Sequence, residues 1–319
     1  MKMILPKNVS YIISKLEQAG YEAYAVGGCV RDTLLGRKPQ DWDITTSAKP
    51  LQIKQLFKKT IDTGIQHGTV TVMLDHIGYE VTTYRIDGKY EDNRHPSNVQ
   101  FTRSLSEDLL RRDFTINAMA YNEVTGLVDA FDGIGDLERG VIRCVGNAME
   151  RFSEDALRML RAVRFAAQLG FSIEQETQEA IAGLAGNIKK VSAERIQVEL
   201  VKLLTSPNPG ELKVAYRMGL TAVFLPEFDV MMETPQNNPH HCCSVGEHTL
   251  KAIEAVPADK VLRLTMLLHD IAKPACRTTD KKGVDHFYGH PVRGSEMARG
   301  ILRRLKFDND TTDRVCRLV

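Results

Sequence analysis

The stretch VGGCVRDTLLGRKPQDWDITTS, residues 26–47, puts two adjacent glycines, an Arg-Asp pair and two aspartates one residue apart into a single segment. EAYAV (22–26) reads as a short strand, CVRDTLL (29–35) as a helix closed by Gly36, and DWDITT (41–46) as a second strand. A strand alternates its side chains, so Asp41 and Asp43 point to one face while Trp42 and Ile44 point to the other. Two carboxylates held this way suit a hard divalent cation such as Mg²⁺, which takes carboxylate and phosphate oxygens; a D-x-D on an edge strand is otherwise a solvated pair. Gly27-Gly28 is either a plain tight turn or a place where backbone N–H groups approach a polyphosphate. Arg31, one turn into the helix, stands where it can pair with phosphate oxygens. The segment is neither a Walker A loop, which needs Gly-Lys-Ser/Thr, nor a G-x-G-x-x-G fingerprint.

Working outward, NVSYIISKLEQA (8–19) has helical spacing and stops at Gly20. HGTVTVMLDHIGYEVTTYRID (67–87) predicts a hairpin turning around residues 75–78, and the polar, Pro-containing DGKYEDNRHPSNVQF (87–101) a mobile loop. Ser104 and Glu107 have the spacing of a capping box before a helix EDLLRRDF (107–114), with Arg111, Arg112 and Asp113 at its end. From about residue 148 strand alternation gives way to helical periodicity in EDALRMLRAVRFAAQLGF (154–171), SAERIQVELVKLL (192–204) and DKVLRLTMLLHDIAKP (259–274). TSPNPGE (205–211) and ETPQNNPHH (233–241) read as linkers. The pattern predicts an α+β chain with a mixed-sheet head over 1–147, a helical neck over 148–206 and a helical body over 207–319.

A chain of 319 residues accommodates two or three domains of about 100–200 residues each. Its 42 basic and 41 acidic residues leave a net charge of +1, which excludes a uniformly basic coat and still allows a local basic groove. The six cysteines have no C-x-x-C spacing and Cys242-Cys243 are adjacent, so neither a zinc knuckle nor a disulfide framework is indicated. No segment approaches the ~20 apolar residues of a membrane span, MKMILPKNVS is too short for a secretory signal, and the cytoplasm is the expected compartment.

V-G-G-C-V-R-D-T-L-L-G followed by D-W-D-I-T-T resembles the first motif of bacterial tRNA nucleotidyltransferases, the CCA-adding enzymes, and their poly(A) polymerase relatives in the polymerase-β-like nucleotidyltransferase superfamily. The resemblance implies Asp41 and Asp43 as catalytic Mg²⁺ ligands, with Gly28 and Arg31 at a nucleoside triphosphate. RRDFTINAMA (111–120) resembles the second motif, which implies Arg112 at the triphosphate or ribose and Asp113 at the ribose hydroxyl. FDGIGDLERGVIRCVGNAMERF (131–152) resembles the hinge between head and neck, and the 87–101 loop one that helps switch from cytosine to adenine addition. Glu80 is either a third carboxylate near the metals or a strand-surface glutamate.

In the 154–171 segment Asp155 and Arg158 stand i, i+3, and Arg161 and Arg164 continue a basic stripe. A carboxylate accepts from the exocyclic amine of adenine or cytosine while a guanidinium donates to the neighbouring ring nitrogen; guanine and uracil present the reverse order. Glu154, Asp155 and Arg158 match the E-D-x-x-R template of the resembling family. The implied activity is addition of CCA to tRNA 3′ ends from CTP and ATP, with the neck and body holding the acceptor stem. A poly(A) polymerase, an A-adding tRNA nucleotidyltransferase and an HD phosphohydrolase are the alternatives.

VLRLTMLLHDIAKP (261–274) places His269-Asp270 at the end of an apolar helix; with His248 and His290 it resembles the HD phosphohydrolase pattern, whose imidazole and carboxylate donors suit Zn²⁺, Mn²⁺, Ni²⁺ or Fe²⁺. That pattern also calls for a later aspartate, for which the sequence offers no clear candidate, so a working transition-metal site and a fold-only remnant both stay open. His240, His241, Cys242 and Cys243 are assigned to the loop entering this domain. The resemblance further implies a body that is incomplete at its C-terminus.

Overall fold

The computed structural model describes residues 2–88, 99–237 and 243–319, arranged as two compact units, 1–154 and 155–319. Most of the 87–101 loop, together with His240, His241 and Cys242, lies outside the described residues.

The described residues of the first unit include the strands β1 (Ala23–Val26), β2 (Asp43–Thr46), β3 (Thr60–Gly64), β4 (Thr69–Leu74), β5 (Ile77–Thr83), β6 (Arg85–Asp87), β7 (Val99–Phe101), β8 (Met119–Asn122) and β9 (Gly126–Asp129), and a two-residue strand Val141–Ile142. Seven of them form one mixed sheet in the order β3-β4-β5-β2-β1-β8-β9, with β2 and β5 parallel and the other neighbours antiparallel. β6 and β7 pair separately. The expected hairpin is β4-β5, turning through Asp75 and His76, both with positive φ, as a two-residue hairpin turn requires. β3, β8 and β9 complete the sheet.

Helices α1 (Lys7–Gln18), α2 (Gly28–Leu34) and α3 (Pro50–Leu56) flank this sheet, followed by α4 (Leu105–Leu110), α5 (Gly133–Arg139) and α6 (Ala148–Glu154). The alternation of β1 serves two apolar layers: Ala23 and Ala25 join a core with Ile12, Leu16, Ile44 and Ile53, while Tyr24 and Val26 join another with Tyr84 and Leu109. Ile44 and Trp42 both pack into the first layer, as the strand period predicts, which turns Asp43 and Thr45 toward α4. β2 itself begins at Asp43, so Asp41 precedes the strand. The arginine pair also differs from expectation. α4 ends at Leu110 and leaves Arg111, Arg112 and Asp113 in the following turn, where both arginines still reach back to Asp108 and Asp113 Oδ1 accepts from Phe114 N at 2.9 Å. Ser104 does cap α4, accepting from Glu107 N at 3.3 Å.

The second unit is helical: α7 (Leu157–Leu169), α8 (Gln175–Leu184), α9 (Ala193–Leu204), then α10 (Leu212–Arg217), α11 (Thr221–Phe224), α12 (Pro226–Glu233), α13 (Val245–Ala255), α14 (Lys260–Leu268), α15 (Lys273–Cys276), α16 (His290–Arg304) and α17 (Asn309–Leu318). The predicted 154–171 helix is broken at Asp155. Its Oδ1 accepts from Leu157 N at 3.1 Å, so it caps α7 rather than continuing it, and Gly170 in the left-handed region ends the helix. Among the described residues no helix is long and apolar enough to cross a membrane.

Candidate active site

β2 lies between β1 and β5, and this register assembles the head cleft. Asp43 pairs with Val26, the last residue before the glycines, while Ile44 beside Val81 brings Glu80 to the same end of the sheet. Asp41, Trp42, Asp43, Gly78, Tyr79 and Glu80 line a cleft of about 500 Å³. Burial raises the Asp43 carboxyl above its ordinary value, the Arg112 guanidinium pulls it back, and Asp41 raises it further. Glu80 is raised by burial, then by Asp43 and by Asp41. Glu80 stands exposed on β5, on the wall of the cleft that Asp41 and Asp43 also line. A cleft lined by several carboxylate oxygens offers the donor type that a hard divalent cation takes.

Beside the carboxylates the glycine turn is shaped by Arg112. Gly27 has φ +82°, and a Cβ there would come within 3.1 Å of Arg112 Nη1 and 3.7 Å of Asn117 O, so a side chain would be both strained and obstructed. Its N–H donates to Met119 O at 3.1 Å and is committed to the sheet. Gly28 opens α2, and a Cβ there would make only ordinary contact with Arg31 Nη2 at 3.6 Å. Arg31 is buried, donating Nη1 to Asn117 Oδ1 at 2.7 Å and Nε to Asp32 Oδ1 at 2.8 Å. Asn117 Nδ2 in turn donates to Asp113 Oδ1 at 3.1 Å, so a residue not singled out in the sequence joins Arg31 to Asp113.

Asp108, fully buried, performs the same service for the arginines. It accepts from Thr45 Oγ1 of β2 at 3.0 Å and from Arg111 Nε at 2.9 Å, and Arg112 Nη2 lies 3.5 Å away. Burial works against this carboxylate, yet Arg111 and Arg112 outweigh it and lower its pKa. Burial also lowers the Arg112 guanidinium, and its Nε is buried with no hydrogen-bond partner among the described residues. A buried cationic donor beside a glycine turn and a carboxylate cluster is matched to an anion that also carries a metal, such as a polyphosphate.

In the second unit the sequence-predicted residues of α7 are largely buried rather than lining a solvated stripe: Arg158 is 8% exposed and Arg164 7%. Asp155 accepts from Arg195 Nη2 at 2.7 Å and Nη1 at 3.2 Å, and Arg164 is paired with Glu199 and with Gln168 Oε1 at 2.8 Å. Arg161 and Arg164 both lie over Phe165. Glu154 belongs to the first unit and pairs with Arg151 at 2.6 Å.

The same unit gathers His248, His269, His290 and Asp270. Asp270 Oδ2 is 3.1 Å from His269 Nε2 and 3.6 Å from His248 Nε2, and its Oδ1 is 3.6 Å from His290 Nε2. His269 Nδ1 and His290 Nδ1 each lie 2.7 Å from a backbone carbonyl, of Met266 and Phe287, which turns Nε2 of both toward Asp270. Among the described residues, His248, His269 and Asp270 are the group whose ligand atoms all lie within 4.8 Å of one another. Lys273, missed in the sequence, completes the cluster: its Nζ lies 2.8 Å from Asp270 Oδ2 and donates to Gln236 Oε1 at 3.0 Å. Burial opposes the Asp270 carboxylate, but His269 and Lys273 prevail and hold it at about 2; against burial, Asp270 raises His269.

Residues 23–143 match the family described as "Poly A polymerase head domain", 170–232 the one described as "Probable RNA and SrmB- binding site of polymerase A", and 240–319 the "HD domain". The chain is 57% identical over 198 residues to the CCA-adding enzyme of Lactiplantibacillus plantarum, covering 62% of this chain and 49% of that one. It is 55% identical over 207 residues to the CCA-adding enzyme of Leuconostoc mesenteroides, covering 65% and 52%. The crystal structure of the Bacillus stearothermophilus CCA-adding enzyme in complex with CTP is similar with a TM-score of 0.75 and 36% identity, over 97% of this chain and 68% of that one. The chain belongs to the family of CCA-adding enzymes. It spans about half the length of the curated relatives it matches. The polymerase-β-like head with a mixed sheet and the helical HD-containing remainder are thus the architecture of a CCA-adding enzyme family member.

Proposed function

We propose that this chain adds C, C and A to tRNA 3′ ends from CTP and ATP, with release of pyrophosphate. The observation that carries the reading is the convergence of Asp41, Asp43 and Glu80 with Arg112 and the Gly27 turn at one end of β2. Asp41 and Asp43, with Glu80 on the same cleft wall, would hold Mg²⁺. When bound, Mg²⁺ supplies charge neutralisation for in-line displacement at the α-phosphate by the primer 3′-hydroxyl. Arg112 and Arg31 take phosphate oxygens, Gly28 leaves room for the triphosphate at the turn, and Asp113, aligned by Asn117, takes the ribose hydroxyl. The head extends over 1–147, the neck over 148–206 and the body over 207–319, and a tRNA substrate assigns the chain to the cytoplasm.

Asp155 and Arg158 select the base, the carboxylate accepting from the exocyclic amine and the guanidinium donating to the ring nitrogen, with Arg161 and Arg164 supporting this surface. Neck and body hold the acceptor stem through its shape, as suits a substrate class alike in form more than in sequence. The relative from Bacillus stearothermophilus was solved in complex with CTP, which supports a pyrimidine triphosphate as one substrate. Purified protein incubated with tRNA lacking CCA, given each nucleotide singly and then together, should add C, C and A and stop. Long A tails on unrelated RNA would instead indicate a poly(A) polymerase, and extension of tRNA-CC alone an A-adding enzyme.

A second activity is favoured by the three imidazoles around Asp270. His248, His269, His290 and Asp270 would hold a transition metal for phosphoester hydrolysis. Opening of a 2′,3′-cyclic nucleotide to its phosphomonoester, or phosphate release from a 2′-phosphate, that survives Asp41→Ala and vanishes in Asp270→Ala would establish it.

A further inference from the structure

Asp155 precedes α7, which holds its side chain through one oxygen only. Oδ1 accepts from Leu157 N at 3.1 Å and from Arg195 Nη1 at 3.2 Å, while Oδ2 accepts from Arg195 Nη2 at 2.7 Å. A guanidinium that meets both oxygens fixes the plane of the carboxylate as well as its direction, which an ammonium cannot do. A carboxylate offers about four acceptor positions, two on each oxygen. Oδ1 uses both of its positions and Oδ2 only one, so the grip leaves a single acceptor site, on Oδ2, at a defined orientation.

α9 makes this grip part of a larger brace. It packs on α7 and carries Arg195 and Glu199 at i and i+4, on one face. Arg195 meets the anion Asp155, and Glu199 meets the cation Arg164, each pair being at least partly buried. A slide or rotation of α7 by one turn would break both pairs, so the two contacts fix where Asp155 stands on the unit.

We propose that Arg195 is a positioning residue for base selection, holding Asp155 so that the open position on Oδ2 accepts the exocyclic amine of cytosine or adenine and opposes the carbonyl of uracil or guanine. The inference rests on the reading of Asp155 as the base-selecting carboxylate. Its test is equilibrium binding of CTP, UTP and pyrophosphate to the chain with Mg²⁺ present, in wild type, Asp155→Ala, Arg195→Ala and Arg195→Lys. Asp155→Ala should bring the UTP-to-CTP ratio of dissociation constants close to one. Arg195→Ala should lower that ratio on the order of tenfold, the effect of misaligning one charge-assisted hydrogen bond, and leave pyrophosphate binding as in wild type. Arg195→Lys, which keeps the charge and loses the fork, should fall between wild type and Arg195→Ala, and it carries the test if the alanine variant does not fold. A wild-type ratio in either Arg195 variant, alongside a lost ratio in Asp155→Ala, overturns the role of Arg195. A wild-type ratio in Asp155→Ala overturns the base-selection reading itself, and the proposal with it.

Discussion

At the head cleft, Asp41, Asp43 and Glu80 line one wall, the Asp43 carboxyl stays raised although Arg112 lowers it, and Glu80 is raised by burial and by both aspartates. In the body, Asp270 is held down at about 2 by His269 and by Lys273, whose ammonium touches its Oδ2 at 2.8 Å. One cluster is short of positive charge and the other carries its own. On the proposed reading the first set would favour an arriving divalent cation, and in the second a metal would have to compete with a resident lysine for Asp270.

The contrast is broken most forcefully at Lys273. Replacing it with methionine removes one of the cations from a carboxylate only 3% exposed, and should cost about 1–2 kcal/mol, read as a lower urea midpoint, since Asp270 is left with its imidazole partners alone. Added Mn²⁺ or Ni²⁺ should restore much of that loss, because the three imidazoles and Asp270 then gain a cation. A midpoint equal to wild type would show that Lys273 does not balance Asp270.

An effect of similar size concerns pH. Asp270 titrates at about 2 when folded against an ordinary 3.8, so its contribution of about 2 kcal/mol is complete above roughly pH 4 and fades as pH falls toward 2. His269 is raised above 6.5, so its contribution is complete below that value and fades as pH rises through its folded pKa. Urea midpoints of the metal-free chain should therefore decline on both sides of this window, and Asp270→Asn should flatten both declines. A wild-type pH profile in that variant would contradict the assignment.

The smallest effect has the opposite sign. Because the folded state disfavours ionised Asp43, Asp43→Asn should leave the metal-free chain as stable as wild type or more stable by a few tenths of a kcal/mol, the scale of a solvent-exposed charge interaction. The same substitution should weaken Mg²⁺ binding measured by titration calorimetry. Marked destabilisation instead would indicate that Asp43 serves the fold.

The sequence made the strand-turn-helix-strand unit legible because its signals are local: a β-branched run from Ile44 to Thr46, glycines at 27 and 28, and a short helix closed by Gly36, although the strand itself starts two residues later than the Asp41-Asp43 alternation suggests. It also marked His269-Asp270 and the Asp155-Arg158 spacing. What it concealed are partners supplied by distant segments. Asn117 reaches Arg31 across 86 positions, Thr45 meets Asp108 across 63, and Arg195 meets Asp155 across 40. No periodicity encodes such pairs, since each depends on how elements pack. The overestimated helices at 107–114 and 154–171 have a related cause. In both, an aspartate takes a nearby backbone N–H, Asp113 that of Phe114 and Asp155 that of Leu157, where the apolar spacing alone would continue.

The most direct measurement is side-by-side extension of tRNA lacking CCA by wild type, Asp43→Asn and Asp270→Asn, with Mg²⁺, CTP and ATP. Wild type and Asp270→Asn should both add C, C and A, while Asp43→Asn should be slower on the order of 10³-fold, the scale of losing a principal charge-stabilising group. Extension that survives in Asp43→Asn and disappears in Asp270→Asn would contradict the assignment of nucleotidyl transfer to the head carboxylates.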